Sequence, residues 1–200
     1  MLAPVWILLM TVGGVSLAIL FPLLRLYRRT GVFGIVGNRA ADPAQGVVGA
    51  TFGMAIGVLV AYAAAWSLLG REAVAGWAPP AALELVGVVS LCVGLVVVIL
   101  AQAQMGDSWR IGVDDRPTAL VTRGLYTIVR NPIYMGLFLL LGGLCCVAPS
   151  PWSLMGTLWM VSVTAIQVRL EEAHMLRLHG DEFRAYAARV GRFFPGIGRL

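Results

Sequence analysis

Four long stretches of this chain carry no charged side chain: residues 1–24, 43–70, 85–106 and 132–168. An apolar helix needs about 20 residues to cross a bilayer, and each of the first three stretches supplies one. The fourth is long enough for two and is broken near its middle by Pro149-Ser150-Pro151. Five spans are therefore predicted, at about 4–24, 48–69, 83–105, 132–148 and 152–170. The runs are continuously apolar, not alternating, so they read as helices and not as the strands of a barrel.

Composition agrees. Hydrophobic residues make up 59% of the chain and charged residues only 12%, against about 25% charged in a soluble domain. Little polar mass lies outside the spans, so residues 1–200 are expected to form one all-α integral-membrane domain, a polytopic helical bundle. All basic residues are Arg, and fourteen of the fifteen fall in 25–47, 106–131 and 169–200; only Arg71 lies in the remaining loops. Basic residues mark the cytoplasmic side. The expected topology places the amino terminus outside and the carboxyl terminus in the cytoplasm, in what reads as a bacterial inner membrane. The net charge of +5 then reflects topology and anionic lipid, with no call for nucleic acid. The first span has no basic segment before it and reads as uncleaved.

The first two spans look like scaffold. Gly49, Gly53 and Gly57 recur at four-residue spacing, a pattern that lets helices approach closely. Trp77, Pro79 and Pro80 suit an outer interface. Cys92, Cys145 and Cys146 all lie inside spans and read as packing residues. Glu171 and His174 form a single Glu-x-x-His pair, half of what a di-iron site requires, so no metal is expected. The connector 107–131, with Asp107 to Val113 and the turn Asp114-Asp115-Arg116-Pro117, is long for so compact a chain, and long ordered loops tend to be functional.

Polar chemistry gathers at the mouth of the fourth span, at Arg130-Asn131-Pro132-Ile133-Tyr134-Met135-Gly136. Asn131 suits a helix N-cap and Pro132 the first helical position; Arg130 and Tyr134 flank the same mouth. Glu171 and Glu172 stand at the far end of the fifth span. Adjacent helical positions point about 100° apart, so one of the two is expected to face inward. Gly180 should end that helix, and Asp181 can cap a short one over about 182–190 with Phe183, Tyr186 and Val190 on one face. That helix and the tail through Phe194-Pro195 read equally as a lid over the bundle or as a membrane-surface anchor.

The segment Leu120 to Gly136, LVTRGLYTIVRNPIYMG, resembles the signature of the integral-membrane methyltransferases, the isoprenylcysteine carboxyl methyltransferase family and its phospholipid N-methyltransferase relatives. The stretch EEAHMLRLHGDEFRAYAARVGRFFP is similar to that family's tail. The likeness covers about residues 100–197 and implies a division of labour: 1–95 as scaffold, 96–200 as the catalytic part. It implies S-adenosylmethionine at the cytoplasmic ends of the last spans, with a membrane-partitioned substrate entering from the bilayer. Arg130, Asn131, Pro132, Tyr134 and Gly136 would contact or shape the cofactor site, Glu172 matches the functional position of the Glu pair, and Tyr186 and Arg192 would belong to the lid. Catalytic roles would fall to Glu172, Arg130 and Tyr134. The prenylcysteine enzymes usually carry His where this chain has Asn131, so a prenylated-protein substrate does not follow. Three other functions fit the sequence: a phospholipid N-methyltransferase-like enzyme, an NADPH-dependent reductase of the sterol-reductase type, and a non-catalytic membrane protein.

Overall fold

A computed structural model of the protein describes residues 4–31, 43–106 and 119–200. Much of the Arg-rich loop 25–47 and the connector residues 107–118 lie outside them. Among the described residues six α-helices follow one another: α1 (Pro4–Val15), α2 (Phe21–Thr30), α3 (Pro43–Leu69), α4 (Ala81–Met105), α5 (Pro132–Val147) and α6 (Pro151–Arg189). A π-helical turn, Ser16–Leu20, joins α1 to α2, so the first span is one continuous helix. Among the described residues four helices are long and apolar enough to cross a membrane, and α5 is a shorter apolar helix of 16 residues. The expected helical bundle is observed.

The closest helix pairing is α4 against α5. The two run antiparallel with glycines facing at seven-residue spacing. A Cβ on Gly94 would stand 2.8 Å from the Gly136 carbonyl oxygen, and one on Gly87 2.8 Å from that of Gly143. Between the two pairs, Ser90 Oγ donates to the Leu139 carbonyl at 2.9 Å. Small residues let backbones meet where lipid offers no hydrophobic drive to associate. The glycines of α3 do something else. Nothing lies within 4 Å of the Cβ position of Gly49, Gly53 or Gly57, so the close-approach role expected of them is corrected. Gly49 and Gly53 leave open space along a cavity wall.

The break before α6 is specified locally. Ser150 accepts from the Ser153 backbone N–H and Ser153 Oγ accepts from the Ser150 N–H, both at 3.0 Å. This reciprocal cap satisfies two donors that a helix start leaves unpaired, with Pro151 preset for the first turn. The charge-free part of α6 ends at Val168, and the helix then carries Arg169, Glu171 and Glu172 onward. At Gly180 the backbone leaves helical geometry (φ 51°, ψ −123°), a region that favours glycine. The final two turns fold back. Phe183, Tyr186, Ala187 and Val190 form a buried cluster against Leu120, Met175 and Leu176. The apolar face of this segment is covered by protein, which favours the lid over the surface anchor.

Candidate functional site

Beyond Val190 the chain runs beside the segment leading into α5. The Arg130 N–H donates to the Gly191 carbonyl at 2.8 Å and the Asn131 N–H to that of Arg192 at 3.1 Å. This parallel pairing lays the tail across the entrance of α5 and brings Arg130, Asn131, Glu172 and Arg192 together.

Arg130 is buried, and each of its five N–H groups has a partner. Nε and Nη2 reach Glu172 Oε1 at 3.1 and 2.9 Å. Nη1 donates to the Ala187 carbonyl at 3.0 Å and also to that of Val190. Nη2 donates further to the Gly198 carbonyl at 3.0 Å. The other carboxylate oxygen, Glu172 Oε2, accepts from Arg192 Nε at 3.0 Å and Nη2 at 2.8 Å. Two cations thus share one carboxylate in a site where the Glu172 side chain is only 7% exposed, and the cluster keeps one net positive charge. Each guanidinium places two N–H groups on a single carboxylate oxygen, and such charge-assisted hydrogen bonds are stronger than neutral ones.

Asn131 stands at the expected N-cap position, yet its side chain makes no capping hydrogen bond to α5. Its Nδ2 points instead to Glu172 Oε1 at 3.4 Å and the Arg192 carbonyl at 3.3 Å. Pro132 is buried at the first turn of α5. Gly136 faces α4, where a Cβ would meet Val98 at 2.7 Å, so it sets helix spacing at this end of the bundle. Tyr186 OH donates to the Tyr126 carbonyl at 2.6 Å, fastening the lid to the turn Gly124–Thr127. Burial pushes both phenols up, Tyr186 to about 12 and Tyr126 further, so both stay protonated at neutral pH.

A cavity of about 1250 Å³ opens beneath this cluster, between α1, α3, α5 and α6. Its polar end is lined by Arg130, Asn131, Glu171, Glu172 and His174, with Tyr126 and Tyr186 beside them. The rest is mostly apolar, with Phe52, Ile56, Leu137, Leu141 and Met160 among its walls and a few polar side chains such as Gln102, Ser153 and Thr157. The first two spans therefore form part of the cavity wall. Arg192 does not line it; it reaches Glu172 from the tail side.

Both carboxylates of the Glu pair line this cavity, where one was expected to. Their 100° offset sends them to different partners. Glu172 meets the arginines, while Glu171 Oε1 accepts from Tyr134 OH and from Gln167 Nε2, each at 2.7 Å. The Tyr134 ring packs near Phe52 of α3, centroids 6.5 Å apart. Gln167 and Tyr126 were missed in the sequence. Gln167 left a signal, an amide in a charge-free run one helical turn before Glu171; Tyr126 left none, since it contributes a backbone carbonyl and a ring whose place depends on the lid. Among the described residues no group of three or more His, Cys, Asp or Glu is placed to hold a metal.

Residues 83–182 match the sequence profile described as phospholipid methyltransferase. The chain belongs to that family. The matched region runs from α4 to just past the Gly180 break, so it contains Arg130, Tyr134 and Glu172 and stops short of Tyr186 and Arg192. A stretch of 89 residues is 33% identical to Methanethiol S-methyltransferase 1 of Bradyrhizobium diazoefficiens, covering 42% of this chain and 29% of that protein. The chain thus matches less than a third of that relative's length. The family is one of methyltransferases, and helices of this chain are long and apolar enough to cross a membrane.

Proposed function

We propose that this chain is an integral-membrane methyltransferase that uses S-adenosylmethionine and methylates a hydrophobic acceptor, a thiol foremost. The observation that carries the reading is the cavity: a polar, partly charged head under the Arg130–Glu172–Arg192 cluster opens into a long apolar body. That division suits a polar methyl donor at the head and a membrane-partitioned acceptor in the body.

The residues present fit such a donor. Arg130 and Arg192 are the groups at this end that attract the donor's carboxylate at long range. The rings of Tyr126, Phe183 and Tyr186 on the cavity wall offer faces to a purine and to a sulfonium cation. Bound there, the donor would supply an electrophilic methyl group. The chain itself supplies alignment, and positioning accounts for most of the acceleration in a displacement of this kind. Arg130 acts as the staple holding the lid on Glu172, Asn131 adds a polar contact at the same mouth, and Tyr186 latches the lid to the loop. The thiol rests on the printed name of the Bradyrhizobium relative. The Arg distribution supports a cytoplasmic lid and site, with the amino terminus outside.

A nicotinamide-phosphate reductase is the poorer fit. It calls for cations able to meet a phosphate, whereas Arg130 commits all five N–H groups to the protein. Calorimetric titration of the detergent-solubilised chain with S-adenosylhomocysteine and with NADPH checks this directly; the first should bind and the second should not. Transfer of labelled methyl groups to a panel of alkanethiols, amines and fatty acids, with products identified by mass, then defines the acceptor. Binding of NADPH alone would refute the reading.

A further inference from the structure

The two neighbouring carboxylates differ in how they are held, and the difference separates their roles. Glu172 is enclosed by cations: Arg130 on Oε1 and Arg192 on Oε2, with Asn131 in addition. A carboxylate so fully occupied has no lone pair directed at a ligand. Glu171 is held by neutral donors only. Tyr134 OH and Gln167 Nε2 both bond to Oε1 at 2.7 Å, which fixes the carboxylate plane. Its Oε2 receives no hydrogen bond from the described residues, and Glu171 lines the polar end of the cavity. The titratable and charged groups around it are Tyr134 on α5, Tyr126 on the turn before α5, Glu172 and His174 on its own helix, and Arg130 at the entrance of α5. From α3 the Phe52 ring stands beside Tyr134. Among the described residues no Arg forms an ion pair with Glu171.

We propose that Glu171 is the proton acceptor for the methyl acceptor, oriented by Tyr134 and Gln167 as positioning residues, so that this site takes a neutral thiol and not a carboxylate. The inference rests on the methyltransferase reading above. A neutral S–H group enters an apolar cavity more readily than its thiolate, because a bare anion is costly to desolvate. It must then lose a proton to become an effective nucleophile. In this step the S–H bond breaks, its electron pair stays on sulfur, and the proton goes to Glu171 Oε2; the resulting carboxyl group later returns the proton to water. A carboxylate acceptor would need no such group, and a second negative charge beside Glu171 would be repelled.

The test uses full-length protein in detergent with dodecanethiol and dodecanoate as acceptors, and S-adenosylhomocysteine binding as a separate readout. Wild type should methylate the thiol in preference to the fatty acid. Glu171→Gln should lose roughly 100-fold or more of thiol turnover, the usual scale for a general base, while S-adenosylhomocysteine affinity stays as in wild type. The acid limb of the wild-type rate–pH profile should vanish in that variant. Tyr134→Phe keeps the carboxylate and removes one donor to its charged form, so it should lose less activity and move the acid limb to higher pH. If Glu171→Gln does not fold, the Tyr134→Phe profile decides: an unmoved acid limb overturns the proposal. Unchanged thiol turnover in Glu171→Gln overturns it, as does a loss of S-adenosylhomocysteine affinity, which would make Glu171 a donor ligand. A preference for dodecanoate overturns it while leaving methyl transfer intact. A wild type that neither binds S-adenosylhomocysteine nor methylates any acceptor removes the underlying reading as well, and so is distinct from the other failures.

Discussion

Arg130 and Glu172 stand 42 positions apart in the chain and meet at 2.9 Å, with both side chains buried. The pair does two jobs. It ties the entrance of α5 to the middle of α6, ahead of the Gly180 break, and it anchors the tail, since the same guanidinium holds carbonyls of Ala187, Val190 and Gly198. Isolating such charges from water is costly, so their arrangement depends on every partner being present.

Glu172→Gln should therefore destabilise the protein strongly, because it leaves two arginines facing a neutral amide. Removing one partner of a buried ion pair costs about 3–5 kcal/mol. Thermal unfolding in detergent should show the drop, and limited proteolysis should cut first within the released tail. A melting temperature equal to wild type would mean that the cluster does not hold the lid.

Gly191→Ala should loosen the tail by itself. A Cβ at Gly191 would fall 2.0 Å from the Phe194 carbonyl oxygen, so the turn that delivers Arg192 to Glu172 must open. The expected signature is reduced S-adenosylhomocysteine affinity with the transmembrane helix content, read by circular dichroism, unchanged.

Two glycine substitutions should part company. Gly94→Ala places a methyl 2.8 Å from the Gly136 carbonyl oxygen and should cost about 1–3 kcal/mol, the usual range for overpacking. Gly49→Ala meets nothing within 4 Å and should leave the melting temperature unchanged or slightly higher. Equal effects would contradict the α4–α5 contact.

Gly53→Leu should discriminate by acceptor length. Its Cβ position is open and it lines the cavity, so a leucine narrows the apolar body without touching the head. Turnover of a dodecyl acceptor should fall further than that of a butyl acceptor, while S-adenosylhomocysteine binding is retained. An equal loss for both would place the acceptor elsewhere.

Several features were legible in the chain because they are local. The Pro149-Ser150-Pro151 break and the end of α4 at Gly106 sit where turn and capping chemistry puts them. Gly180 marks a fold-back because few other residues accept its backbone angles. Asn131 shows the limit of such reasoning: its place at the start of α5 was readable, but its side chain turns to Glu172 and the tail, partners that local sequence cannot name. The glycines make the same point. Spacing alone favoured Gly49, Gly53 and Gly57 as contact residues, yet the contacts fall on Gly87, Gly94, Gly136 and Gly143, because which faces meet depends on how the helices are arranged.

Charge-free length and helix-end chemistry are one-dimensional properties, so the order of residues was enough to specify a bundle of apolar helices with polar groups gathered around Arg130 and the Glu pair. That Glu172 is locked between two arginines while Glu171 stands open to a cavity follows from long-range packing. Two adjacent residues diverge by a fixed angle on their helix, and what each then meets is set by the fold of segments far away in the chain.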